Sequence, residues 1–340
     1  MARRALDHGR GWLHLERAVV AISLVVPTYR RPRMVARCLE SVQRQTLAEF
    51  ELLLVDNSPD GELRARIDEI NDGARVPARY ISEPRLGLHN ARHAGARAAS
   101  GDVLVFTDDD AVFDSGWLAA YACCFDAHPE MVAAGGPVRP EWEAPPPQWL
   151  CALIQADSRM FPAFSLLDLS ADFQLTHDGI FFGVNMAIRR EALFASGGFN
   201  PEIFGERWLG DGETGLNRKL WARGGLIGYV PDAVVHHHVT PQRMTLGYLR
   251  QRQANDGACD MYARFHQQMP TWPGLLRAAA AVVADSARDW AAEPFFRGRT
   301  DPRALRVQLR AARGWARLEY VARLMLNPRL RALVAQQSWL

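Results

Sequence analysis

Lysine is almost missing from this 340-residue chain, where Lys219 stands alone beside 39 arginines. Any basic stripe is therefore partly composition, and with a net charge of only +2 no nucleic-acid partner is expected. Cysteine is scarce as well. Cys38, Cys123, Cys124, Cys151 and Cys259 are odd in number and show no C-x-x-C spacing, which argues against a disulfide framework or a zinc ribbon and suits a reducing compartment. No apolar run is long enough to span a bilayer, since the longest, near Leu275–Ala284, is broken by Arg277. The first twenty residues, interrupted by Asp7, His8, Arg10 and Glu16, lack the apolar core of a signal peptide. A cytoplasmic protein is the expectation. There is no internal repeat, and Val25-Val26-Pro27-Thr28-Tyr29-Arg30 stands where a dinucleotide-binding oxidoreductase would carry G-x-G-x-x-G.

What remains is an ordinary globular composition, 48% hydrophobic and 23% charged, in a chain long enough for one large domain or two smaller ones. Charge is unevenly spread. Residues 241–340 hold 16 Arg against 7 Asp and Glu, about +9, which leaves about −7 for residues 1–240. Residues 20–26, Glu51–Val55, Ala78–Ser82 and Val103–Thr107 read as strands, and Pro32–Gln45, Glu62–Asn71 and Leu88–Ala99 as helices between them. That alternation predicts a mostly parallel α/β sheet with right-handed crossovers. From Met131 the pattern loosens, and Gly135–Pro147 reads as a loop. Leu226–Val230 and Val234–Val235 read as further strands. After Pro241 the chain reads as helical near Leu246–His266, Gly274–Asp289 and Pro302–Leu326.

Ligands of such sheets bind beyond the carboxyl ends of the strands, and here three of the four ends carry acidic residues: Asp56, Glu83 and Asp108-Asp109-Asp110. Asp108 and Asp110, one residue apart on an extended chain, can point the same way. Carboxylates so placed repel unless a cation lies between them, and hard oxygen ligands suit Mg²⁺ or Mn²⁺. A metal-bound diphosphate is the cargo this predicts. His236, His237 and His238 follow a short apolar run, and an extended chain lets at most one or two of them face one ion.

Seven segments, in order over residues 20–240, resemble the inverting family 2 glycosyltransferases of GT-A fold. They are Val25-Val26-Pro27-Thr28-Tyr29, Leu53 to Ser58, Gly87-Leu88 with Ala91-Arg92, Ala98 to Asp110, Gly183-Val184-Asn185-Met186 with Arg189-Arg190, Gly197-Gly198-Phe199 with Gly210 to Leu220, and Val230-Pro231-Asp232-Ala233 with the histidines. The resemblance implies a GT-A-like, mostly parallel twisted sheet flanked by helices, with a helical C-terminal appendage. It also implies transfer of a sugar from a nucleoside-diphosphate sugar to a hydroxyl acceptor with Mg²⁺ or Mn²⁺, in polysaccharide, glycolipid or other glycoconjugate synthesis. Asp108 and Asp110 become its D-x-D motif, joined at the metal by His237 or His238. Asp109 can substitute for either neighbour. Pro27, Tyr29, Asp56, Arg92, Asp108, Asp109 and Asn185 fall on the nucleotide sugar, and Trp142 and Trp149 on the acceptor side. An inverting displacement needs one base, for which the alignment gives Glu213 with Asp211 as rival. His93 stands where asparagine is usual. Gly212 and Gly215 stand where acidic residues are usual, so a non-catalytic nucleotide-sugar-binding module is the alternative.

The division expected is a 1–19 extension, a 20–240 catalytic domain with its nucleotide and metal half in 20–130 and its acceptor half in 131–240, and a helical 241–340 region. In its last long helix Asp301-Pro302 supplies an N-cap and first-turn proline. Arg303, Arg306, Arg310, Arg313 and Arg317 form one stripe beside an apolar stripe of Ala304, Val307, Ala311, Trp315, Leu318, Ala322 and Met325. Such a helix either lies on an anionic membrane surface, on the inner face of the cell membrane, or packs on the catalytic body.

Overall fold

The computed structural model describes residues 20–340 apart from 59, 62, 157–159, 205, 206 and 267; the expected 1–19 extension lies outside the described residues. An eight-stranded sheet runs in the order Gln174–Thr176, Leu226–Tyr229, Met131–Gly135, Met186–Arg189, Val103–Phe106, Ile22–Thr28, Glu51–Asp56, Ala78–Ser82. Six of these strands are mutually parallel; Met186–Arg189 and Gln174–Thr176 run against them.

The central strands are apolar on both faces, so helices must cover both. Leu24, Val26, Leu52, Leu54, Val103 and Val105 enter one core with Val35, Leu39 and Trp117 of the helices Pro32–Gln43 and Trp117–Ala127. Val25, Leu53, Val55, Leu104 and Phe106 enter the other with Ala91 and Ala96 of Leu88–Ala98 and Leu216 and Leu220 of Gly212–Ala222. The Leu88–Ala98 helix lies close on the sheet because Gly95 has no side chain, since a Cβ there would stand 2.3 Å from Val25.

A second, five-stranded sheet takes over where the large one ends, in the order Ala111–Phe113, Val235–Val239, Val138–Trp142, Leu166–Leu167, Met160–Phe161. Two expectations fail here. The stretch after Met131 is not loose, because Met131–Gly135 is an interior strand of the large sheet. Nor is Gly135–Pro147 all loop: Val138–Trp142 pairs along its length with Val235–Val239. Among the described residues its other edge is paired at Val138 alone, so Pro140 costs no ladder bond on that side.

The C-terminal helices Leu246–Phe265, Trp272–Phe296, Pro302–Leu326 and Pro328–Val334 build a separate core around Tyr262, Val282, Tyr320 and Leu324. Asp301 caps Pro302–Leu326, accepting from the Ala304 amide at 3.1 Å. The arginine stripe is split. Arg313 and Arg317 both bind Asp260 of Leu246–Phe265, and Arg310 pairs with Asp289 at 2.9 Å. The buried face runs through Ala304, Leu305, Gln308, Ala311, Gly314, Tyr320, Val321 and Leu324, while Trp315 of the expected apolar stripe is 57% exposed. No helix among the described residues is long and apolar enough to cross a membrane.

Candidate active site

The three aspartates occupy the step between the two sheets, after Val103–Phe106 and before Ala111–Phe113. Each is held from a different element. Asp108 Oδ1 accepts from Arg92 Nη2 at 2.7 Å, and Asp109 Oδ2 from the Thr28 hydroxyl at 2.7 Å. Arg31 Nη1 donates to both Asp109 and Asp110 at 3.2 Å, and Arg243 Nη2 to Asp110 at 3.0 Å. His237 lies in register with Ala111, which brings its Nε2 within 3.4 Å of Asp110 Oδ1, while its Nδ1 faces the Phe164 carbonyl at 2.7 Å.

Strand alternation turns the neighbouring histidines away: His236 meets Asp114 at 3.0 Å and His238 meets Glu143 at 3.2 Å. Burial opposes ionisation of Asp110, yet His237, Arg243 and Arg31 hold its carboxyl well below the usual range. Burial pushes Asp109 up to about 6 against Thr28 and Arg31, and raises Asp108 despite Arg92.

Asp110 and His237 are of the ligand types that suit a small divalent cation, but Arg243 lies 3.0 Å from Asp110 and 3.1 Å from His237 Nε2, so a cation there has to displace that guanidinium. Arg31 and Arg243, both missed in the sequence, add fixed positive charge on the same face. Tyr29 is 41% exposed at the end of the first strand, with the Arg30 guanidinium 5.5 Å from its ring centre; Pro27 is buried within that strand. Asp56 is fully buried and accepts from the Ser58 amide at 2.9 Å and the Tyr80 hydroxyl at 3.0 Å.

Arg92 links this cluster to the expected base. It is fully buried, and besides Asp108 its Nη1 lies 3.6 Å from Glu213 Oε2. Gly183 admits it, because a Cβ there would stand 2.4 Å from both terminal guanidinium nitrogens. Glu213 lies in the first turn of the Gly212–Ala222 helix, and its second neighbour is His89 Nε2, also at 3.6 Å. Asp211 is turned away into the structure. Its Oδ1 accepts from Asn200 at 2.8 Å and its Oδ2 from Arg218 at 2.7 Å, and Gly215 makes room for that carboxylate.

Asn185 differs from its expected place on the donor. It is fully buried, accepting from Trp117 and Tyr121 at 2.8 and 2.7 Å and donating to the Pro137 and Ala233 carbonyls at 3.0 and 2.7 Å. Its amide is fully used in tying the sheets together, with no donor left for a ligand. Trp142 packs edge-on against Phe164, and Trp149 is likewise half-buried against the core. His93 also has an internal task, accepting from the Phe199 amide at 2.9 Å.

The segment leading into Glu213 is clamped by the C-terminal helices. Tyr320 donates to the Leu209 carbonyl at 2.5 Å, Arg323 to that of Trp208 at 3.1 Å, and Cys259 to that of Gly210 at 3.3 Å.

Comparison with known proteins agrees with this architecture. The chain is 28% identical over 237 residues to a glucosyl-dolichyl phosphate glucuronosyltransferase of Haloferax volcanii, covering 67% of this chain and 72% of that protein. It is 26% identical over 239 residues to the succinoglycan biosynthesis protein ExoM of Rhizobium meliloti, covering 69% and 72%. The solved mannosyltransferase PcManGT of Pyrobaculum calidifontis, in complex with GDP-Man and Mn²⁺, superposes with a TM-score of 0.52 at 21% identity over 96% of this chain and 82% of that one. The profile described as Glycosyl transferase family 2 matches residues 23–194, half of the chain. The chain therefore belongs to glycosyl transferase family 2 and has the GT-A fold.

Proposed function

We propose that this glycosyltransferase moves a sugar from a nucleoside-diphosphate donor to a hydroxyl acceptor with inversion at the anomeric carbon, within the 20–240 region. One observation carries the reading: the buried Arg92 bridges Asp108 at the acidic strand end and Glu213 at the helix start, 2.7 and 3.6 Å away. A diphosphate side and a base side are thus neighbours across one guanidinium. Glu213 takes the acceptor proton while the acceptor oxygen bonds to the anomeric carbon and the diphosphate leaves with the electron pair of the broken bond. Arg31 and Arg243 lie beside the charge that builds on the leaving group. Asp110, His237 and Asp108 would hold Mg²⁺ or Mn²⁺, which when bound supplies Lewis-acid neutralisation of the diphosphate. Tyr29 offers an exposed ring for the base to stack on.

Two tests follow. Thermal melting with UDP or GDP, with and without Mn²⁺, identifies the nucleotide, because a ligand that binds only the folded state raises its stability. Release of nucleoside diphosphate from UDP-glucose, UDP-glucuronate or GDP-mannose then separates an enzyme from the non-catalytic module, which Gly212 and Gly215 had suggested. Binding without release from any of them favours the module.

The homologue named for a dolichyl phosphate acceptor supports a lipid-linked acceptor and a peripheral place at an anionic bilayer. Trp272, Leu276 and Val283, 57%, 60% and 44% exposed, share one face of the Trp272–Phe296 helix. Arg277 and Arg288 of that helix, and Arg303 and Arg306 of the next, are exposed and leave these helices a positive charge that suits anionic headgroups. Replacing Trp272 and Leu276 by serine is expected to reduce sedimentation with phosphatidylglycerol vesicles. No binding by the parent at low salt contradicts this placement.

A further inference from the structure

Beside Glu213 lies a group of side chains that the strand-end chemistry does not use. His89, in the first turn of the Leu88–Ala98 helix, is 3% exposed, and neither ring nitrogen has a partner within hydrogen-bonding geometry among the described residues. Its Nε2 lies 3.3 Å from Oε1 of Glu202 and 3.6 Å from Oε2 of Glu213. Phe199 stacks on the ring at 4.9 Å with the planes 9° apart, which fixes its tilt. The space comes from Gly212. Its φ of +49° is strained for other residues, and a Cβ there would stand 2.4 Å from His89 Nε2 and 3.2 Å from Glu202 Cγ. A side chain at 212 and the His89–Glu202 pair are thus rivals for one volume.

The trio also has the spacing of a metal site, its ligand atoms lying within 4.8 Å of one another. Arg92 argues against that use, because its buried guanidinium already stands 3.6 Å from the same Glu213 oxygen and would repel a divalent ion. With acceptor oxygens on both sides, Nε2 must carry a proton or leave three lone-pair atoms facing one another. Although burial opposes it, His89, Arg92 and Arg252 hold the Glu202 carboxyl below the usual carboxylate range, which makes it the better acceptor for that proton.

We propose that Glu202 and His89 are positioning residues for Glu213: Glu202 draws the Nε2 proton of His89 to itself, leaving the Glu213 oxygen free to accept the proton of the acceptor hydroxyl. The proposal rests on the reading of Glu213 as base. Without the Glu202 charge, the His89 proton turns to Glu213. The oxygen that must take up a proton is then already hydrogen-bonded and is a weaker base. Donor binding, carried by the aspartates and arginines of the strand end, is unaffected.

The test is steady-state release of nucleoside diphosphate with Mn²⁺, using whichever of UDP-glucose, UDP-glucuronate and GDP-mannose the parent turns over fastest. Glu202→Gln is expected to lower kcat by about 10²-fold, with donor KM and melting temperature unchanged, and Glu202→Asp to recover most of the loss. Either of two results overturns the proposal: Glu202→Gln keeping kcat within about two-fold of the parent, or the Gln and Asp variants falling alike with a lowered melting temperature, which marks a packing role. A parent that turns over a donor while Glu202→Gln is unchanged removes only this inference. A parent that turns over none of the donors removes the base assignment and this inference with it.

Discussion

The two carboxylate clusters that meet at Arg92 are built in opposite ways. At the strand end, three adjacent aspartates receive Thr28, Arg31, Arg92, Arg243 and His237 from three stretches of chain, so the negative charge is largely matched before any ligand arrives. At the helix start, the Glu213 carboxylate accepts no hydrogen bond from a described residue, and Arg92 and His89 stand 3.6 Å from it. The aspartate oxygens are already engaged by donors, whereas the carboxylate oxygens of Glu213 are open to an incoming hydroxyl. On the proposed reading, the first cluster binds the donor and the second transfers the proton.

The sharpest way to break that division is at Glu213. Glu213→Gln should lower turnover by about 10²–10⁴-fold, the usual contribution of a general base, while leaving donor affinity intact. Its neighbour two residues earlier should behave differently. Asp211 is buried against Asn200 and Arg218, so Asp211→Asn should cost about 1–3 kcal/mol of stability in denaturant melts, with turnover per folded molecule near that of the parent. If Asp211→Asn silences turnover at full stability, the roles of the two are exchanged.

A smaller effect tests the C-terminal clamp. Arg313 gives Asp260 two bonds at 2.8 Å, and Arg313→Gln should destabilise the protein by about 1–2 kcal/mol, whereas the exposed Arg303→Gln should change its melting temperature little. A pH effect is expected at His93, spread over about two pH units. Burial, followed by the positive charges around it, lowers its pKa to about 2. Because the folded value lies below the unfolded one, the unfolded chain binds more protons below about pH 6.5, and stability falls as pH drops from there. The loss from this residue is at most about 1.4 kcal/mol per pH unit, and His93→Gln should flatten that slope between pH 6.5 and 4.5.

The sequence revealed the two clusters unequally, for physical reasons. Asp108 to Asp110 are contiguous and follow an apolar strand, so local pattern suffices for them; it leaves His237 and His238 both open, and the register of His237 with Ala111 decides between them. Arg31 and Arg243 leave no signal among 39 arginines. His89 and Glu202 come together with Glu213 from three distant segments, and the trace of their meeting is a missing side chain at Gly212. Asn185 sits in the expected segment, but nothing local says that its amide turns inward between Trp117 and Ala233. The Val138–Trp142 strand was hidden by its proline, which is tolerated because one edge of the strand is largely open.

The division between binding and proton transfer is tested most directly by titrating the matching nucleoside diphosphate with Mn²⁺ into Glu213→Gln and Asp110→Asn by calorimetry, alongside turnover of both. Glu213→Gln should bind as the parent does and fail to turn over, while Asp110→Asn should lose Mn²⁺-dependent binding. Loss of binding in Glu213→Gln, or parental Mn²⁺-dependent binding in Asp110→Asn, would contradict the account.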